Sequence, residues 1–227
     1  MGNNGLVLSA SDIHREFTTP DAILPVLKGV SLDVKRQEMI SITGASGVGK
    51  STLLHILGGL DRPTSGEVVV GDFSLNGRSE KELARFRTER VGFVFQHHYL
   101  LNDFTALENV MIPAILKGKS RREACDNGEL LLRQVGLIDR RNHKPGQLSG
   151  GEQQRVAVAR ALANDPEVVL ADEPSGNLDT ATGRRLHDLL FELRERKAMA
   201  FVIATHNQEL AGGCDRQLKL VEGKVVN

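Results

Sequence analysis

Eight consecutive positions, Gly44-Ala45-Ser46-Gly47-Val48-Gly49-Lys50-Ser51, carry the pattern G-x-x-x-x-G-K-S/T. The chemistry open to such a run is the holding of a polyphosphate. Its glycines let the backbone wrap closely, so successive N–H groups and the start of a following helix converge on anionic oxygens. Lys50 would reach the outer phosphates and the Ser51 hydroxyl would ligate Mg²⁺, with Thr52 next in the binding set. Further on, the apolar run Val168 to Ala171 ends in Asp172-Glu173-Pro174. Read as a buried strand, it delivers two carboxylates to the carboxyl edge of a sheet, where ligands of open α/β folds bind. Asp172 there suits holding Mg²⁺, directly or through water, and Glu173 suits a general base acting on an attacking water. Either motif alone has a plain rival, a glycine-rich turn or an ordinary Asp-Glu strand end. The run Leu148-Ser149-Gly150-Gly151-Glu152 between them makes the combination specific.

The elements that must position these groups are legible in outline. Leu6 to Phe17 and Val26 to Val34 are β-rich stretches broken by Thr19-Pro20 and Pro25. Glu38 to Thr43 is a short strand entering the phosphate loop, and Lys50 to Leu57 has helical spacing stopped by Gly58-Gly59. Ser79-x-x-Glu82 and Ser120-x-x-Glu123 have capping-box spacing, and Gly136 ends the helix opened by the second. From about 96 to 165 the pattern is mostly helical, and Phe104, Leu107 and Val110 at helical spacing are expected in the core. Strands return at Val168 to Asp172 and Ala200 to Thr205, and Glu222-Gly223 reads as a tight turn. The sum is an α/β fold, a phosphate-loop parallel-sheet core with N-terminal antiparallel β elements and an inserted α-helical block. We expect a single domain over 1–227, with a core subdomain at about 1–95 and 165–227 and a helical subdomain at about 96–164.

Composition removes other classes. Lys plus Arg (29) balance Asp plus Glu (29), so no bulk field recruits nucleic acid or anionic lipid. No apolar run approaches the roughly 20 residues of a spanning helix, so a membrane link would run through partners. Met1 to Leu6 lacks the features of a secretion signal, and Leu6 stands where a myristoylation motif would want Ser or Thr. Cys125 and Cys214 lack metal-site spacing and read as reduced thiols of a cytoplasmic protein.

Taken in order, these motifs resemble the nucleotide-binding subunits of ATP-binding cassette (ABC) transporters over essentially the whole chain. The resemblance implies ATP and Mg²⁺ as cofactors. It also implies that Gln96 contacts Mg²⁺ and the attacking water, and that His206 is a switch histidine at the γ-phosphate. Phe17 falls where the family stacks an aromatic, most often Tyr, on adenine. Ser149, Gly150 and Gly151 match a signature loop facing the γ-phosphate held by a second subunit, and Asp179 matches a loop crossing that dimer. The implied catalytic set is thus Glu173, His206, Gln96 and Lys50, with Mg²⁺ held by Ser51, Gln96 and Asp172. The runs Phe95 to Leu101 and Asp103 to Val110 look like the ATPases of lipoprotein-releasing systems. Asn102 departs from that group, which would carry Pro. The implied partners are a second copy and two integral-membrane permease subunits, at the cytoplasmic face of the inner membrane. Macrolide- or peptide-export pumps and cell-division ATPases that regulate cell-wall remodelling share most of the motifs and stay open as alternatives.

Overall fold

The computed structural model describes residues 5–20, 22–197 and 199–226. The expectation that Met1 to Leu6 carries neither a secretion signal nor a myristoylation motif falls mostly, at Met1 to Asn4, outside the described residues.

Two long strands, β1 (Leu6–Thr18) and β2 (Ile23–Lys35), open the fold as an antiparallel pair, with Thr19-Pro20 in the turn between them. Pro25 does not break the second stretch, as the sequence suggested; it lies inside β2 opposite Glu16. That position is tolerable because β2 is an edge strand of its sheet, where a missing N–H need not interrupt a ladder. The next strand, β3 (Met39–Thr43), feeds the phosphate loop and α1 (Lys50–Leu57). Then β4 (Ser65–Val70) and β5 (Phe73–Ser74) complete a four-stranded sheet in the order β2-β1-β4-β5. Helix α2 (Glu80–Arg90) leads into β6 (Val91–Phe95).

Three helices follow: α3 (Ala106–Leu116), α4 (Arg121–Gln134) and α5 (Gly150–Ala161). The chain then returns through β7 (Val168–Asp172), α6 (Thr180–Arg196), β8 (Ala200–Ala204), α7 (Gln208–Gly212), β9 (Arg216–Val221) and β10 (Lys224–Val226). The second sheet has six strands in the order β10-β9-β3-β8-β7-β6, parallel except for the β9–β10 hairpin. Glu222 and Gly223 at the hairpin tip both have positive φ, 49° and 81°, the tight turn expected there.

Period-2 alternation explains why β7 and β8 read as unbroken apolar runs. Val168, Leu170, Val202 and Ala204 face one core, which includes α1 and the antiparallel sheet. Val169, Ala171, Phe201 and Ile203 face a second core built with α5 and α6. A parallel strand covered on both faces has no polar side to show.

The helical block is started by caps rather than by strong propensity. The two expected capping boxes form, and Thr105 with Glu108 and Ser149 with Glu152 repeat the device. At Ser79 the backbone N–H and hydroxyl, together with Arg78, hold the Glu82 carboxyl down to about 2. Gly136, with φ of 70°, follows the end of α4. Phe104 corrects one expectation: it precedes α3 instead of lying on it and is 42% exposed, whereas Val110 is buried.

Candidate functional site

The phosphate loop joins the carboxyl end of β3 to α1. Gly44 has φ of 151° and lies so close to Leu220 that an added Cβ would collide with its carbonyl oxygen. Gly49 is the N-cap of α1 in the left-handed region, φ 108°, with Val26 and Leu27 3.0 Å from where its Cβ would stand. It provides no side-chain cap, and the first turn of α1 holds no acidic residue. The orphan N–H groups of that turn are therefore the strongest attraction the helix offers an anion. The Lys50 Nζ donates to the carbonyls of Gly44 at 3.0 Å and Ala45 at 3.1 Å, and the side chain is only 8% exposed. Val48 packs its side chain on the core and leaves only its backbone to the loop.

An open cleft of ≈ 560 Å³ lies over the loop, walled by Ser46, Gly47, Gly49, Lys50, Ser51 and Thr52. Gln96, Asp172, Glu173 and His206 close its other side, each brought there by the carboxyl end of a parallel strand. Phe17, 39% exposed, forms the far wall with Leu24 and Val26, and the Arg15 guanidinium stands 4.4 Å from its ring centroid. Four strand ends and a turn in the antiparallel sheet thus converge on one space.

Asp172 and Glu173 differ sharply in their surroundings. Among the described residues Asp172 Oδ1 is buried with no hydrogen-bond partner, an acceptor that they leave open. With Ser51 and Gln96 in the same cleft, that oxygen fits a hard divalent cation bound together with phosphates. Glu173 is fully engaged. Its Oε1 is 2.9 Å from His206 Nδ1, and its Oε2 accepts from Thr205 Oγ1 at 3.2 Å and from the His206 N–H at 3.3 Å. Its backbone takes φ of 45°, a costly conformation for a non-glycine residue, secured by its N–H donating to Ala204 O at 2.8 Å.

The Ser149, Gly150 and Gly151 turn is not in this cleft. Ser149 caps α5, with its N–H donating to Glu152 Oε2 at 2.8 Å, and Gly151 abuts Thr182 closely enough that an added Cβ would collide. Asp179 sits beside it as N-cap of α6, accepting from the Thr182 N–H at 3.0 Å. On one chain the cleft and this turn are therefore separate places.

Some contacts were not visible in the sequence reading. Gln96 Nε2 donates to Asn177 Oδ1 at 3.0 Å, and Asn177 Nδ2 returns a bond to Gln96 O at 3.1 Å. Thr205 braces Glu173, and its only signal was adjacency to His206. Arg160 donates to the carbonyls of Tyr99 at 2.6 Å and His98 at 2.8 Å, tying α5 to the segment after Gln96.

Comparison with known proteins agrees with this geometry. A family profile described as ABC transporter matches residues 27–176. The lipoprotein-releasing system ATP-binding protein LolD of Syntrophus aciditrophicus is 48% identical over 97% of this chain and 99% of its own length. The protein of the same name from Cytophaga hutchinsonii is 50% identical over the same shares. Among solved structures, a dimeric post-hydrolysis state of an ATP-binding cassette bound to ADP and Pi superposes with a TM-score of 0.89. It is 40% identical and covers 97% of both chains. The profile match takes in the phosphate loop, Gln96, the Ser149 turn and both strand-end carboxylates, and the chain belongs to the ABC transporter family.

Proposed function

We propose that this ATPase drives a lipoprotein-releasing transporter, working as a head-to-tail pair beneath two integral-membrane permease subunits at the cytoplasmic face of the inner membrane. The observation that carries the reading is the separation of the half-sites. The loop, the carboxylates and His206 share one cleft, while Ser149 to Gly151 lie elsewhere on the same chain. A second copy supplies what the first lacks. Full-length relatives named for lipoprotein release support the cargo, and dimeric cassettes support the pairing.

In this reading the core subdomain, about 1–95 and 165–227, carries the cleft, and the helical subdomain, about 96–164, carries the turn to the partner. The loop N–H groups and Lys50 bind the phosphates, and Phe17 offers its ring to adenine. Ser51, Asp172 and Gln96 would hold Mg²⁺, which would supply neutralising charge for the bound phosphates. Glu173 takes the proton of the attacking water. His206, held to it through Nδ1, keeps Nε2 available for the γ-phosphate. The partner's α5 start and Asp179 close over that phosphate, so it glues the interface until hydrolysis yields ADP and phosphate.

A second cleft of ≈ 440 Å³ suits a permease. It is lined by Leu60, Val91, Phe93, Phe95, Leu116 and Arg160, and Arg160 connects it to the segment after Gln96. Leu116 is 72% exposed, so Leu116→Asp should leave the fold and the basal ATPase intact while reducing co-sedimentation with permease-containing membranes. Loss of ATPase with unchanged sedimentation would speak against that surface.

The test of cargo is depletion of the protein followed by membrane fractionation. Outer-membrane lipoproteins should accumulate in the inner membrane. Normal sorting with a specific loss of macrolide or peptide efflux would replace this cargo by the export reading and leave the ATPase chemistry untouched.

A further inference from the structure

Between β7 and α6 the chain runs from Glu173 to Asp179, so one loop carries both the proposed base and the residue facing the partner. Its middle is tied to Gln96 through Asn177. A further tie comes from inside α6, where His187 Nε2 and Ser175 Oγ are 2.9 Å apart. Gly183, one turn earlier on the same helix, is where a Cβ would stand 3.6 Å from the Ser175 side chain.

His187 is 4% exposed, and its Nδ1 is buried without a hydrogen-bond partner among the described residues. Burial pushes the imidazole pKa down, with Glu209 and Asp188 opposing, so the ring is neutral near pH 7. The tautomer with its proton on Nε2 donates to Ser175 and strands no buried N–H. Leu186 and Leu190 flank His187 on the buried face of α6, and a leucine at its position would pack there without desolvating ring nitrogens. Packing therefore gives no reason for an imidazole, whereas the bond to Ser175 does. The loop also needs such a tie, because an open space of ≈ 170 Å³ lined by Glu173, Ser175, His187 and His206 lies behind it.

We propose that His187 is a positioning residue for hydrolysis: through Ser175 it fixes the loop that holds Glu173 over the cleft and Asp179 toward the partner. This rests on the reading of Glu173 as the base. Ser175→Ala and His187→Leu, alone and combined, test it in steady-state ATPase assays of the purified chain. Either single change should lower kcat about three- to tenfold, with KM for ATP within about twofold, since the phosphate loop is untouched. The double variant should lose no more than the worse single one, and His187→Gln, whose amide can donate in place of Nε2, should recover most of the rate. Thermal melting accompanies each variant; Ser175 is only half-buried, so Ser175→Ala reads the loop even where His187→Leu weakens the fold. Wild-type kcat in Ser175→Ala, or additive losses in the double variant, overturns the proposal. Glu173→Gln assayed alongside separates the two readings. If it turns over normally, the base assignment fails; if it is inactive while Ser175→Ala is not, only the positioning role fails.

Discussion

Glu173→Gln is expected to keep ATP binding and to lower hydrolysis by about a hundredfold or more, the loss that follows removal of a general base. The substitution is close to isosteric. Its carbonyl oxygen can still accept from Thr205 Oγ1 and the His206 N–H, the bonds that hold the side chain in its left-handed backbone setting. What it cannot do is take the proton of an attacking water. Uncut nucleotide should then hold two copies together, because each γ-phosphate would be gripped by the loop of one chain and the start of α5 in the other. Size-exclusion chromatography in saturating Mg-ATP should show a dimer that ADP does not support. Unchanged turnover would remove Glu173 from the chemistry, and a monomer at saturating Mg-ATP would remove the γ-phosphate from the interface.

The motifs that line the cleft and the elements that carry them were legible for a physical reason. The phosphate loop, the strand-end carboxylates and the Ser149 turn are local in sequence, and each obeys constraints set within about ten residues. Parallel strands announced themselves as apolar runs because both faces are covered, and caps announced helices because orphan N–H groups must be met close by. What the sequence hid depends on contacts between distant segments. Pro25 could sit inside a strand only because that strand became an edge. Phe104 fell in register with Leu107 and Val110, yet the helix starts after it, at the Thr105 cap. The clamp between Gln96 and Asn177 and the tie between Ser175 and His187 link segments that periodicity cannot bring together. The proposed relation between the cleft and the Ser149 turn of a second copy was equally silent in spacing alone. It came from resemblance, and the geometry of one chain gives it a physical motive.

Lys50→Ala and Ser149→Arg should fail at different steps, and the contrast tests whether the half-sites belong to different subunits. Lys50 is buried beside the loop with its Nζ held by the Gly44 and Ala45 carbonyls, and removing it takes away the positive charge proposed to meet the outer phosphates. Nucleotide affinity should fall by at least about tenfold, with turnover lost in consequence. Ser149 lies outside the cleft, at the start of α5, where its hydroxyl accepts from the Glu152 N–H at 3.3 Å. An arginine there loses that cap and, in the proposed pair, puts a long cation where the partner's γ-phosphate would approach. Each chain should still bind ATP with near-normal affinity, while hydrolysis and ATP-dependent pairing both collapse. Titration of a fluorescent ATP analogue, followed by turnover assays on the same preparations, reads both quantities. Mixing the two variants adds a sharper discriminant. A pair of one Lys50→Ala chain and one Ser149→Arg chain has one composite site carrying both defects and one carrying neither. Partial recovery of turnover in the mixture is expected from a head-to-tail pair. Equal loss of nucleotide binding in the two single variants, with no recovery on mixing, would place Ser149 in its own chain's site and end the trans arrangement.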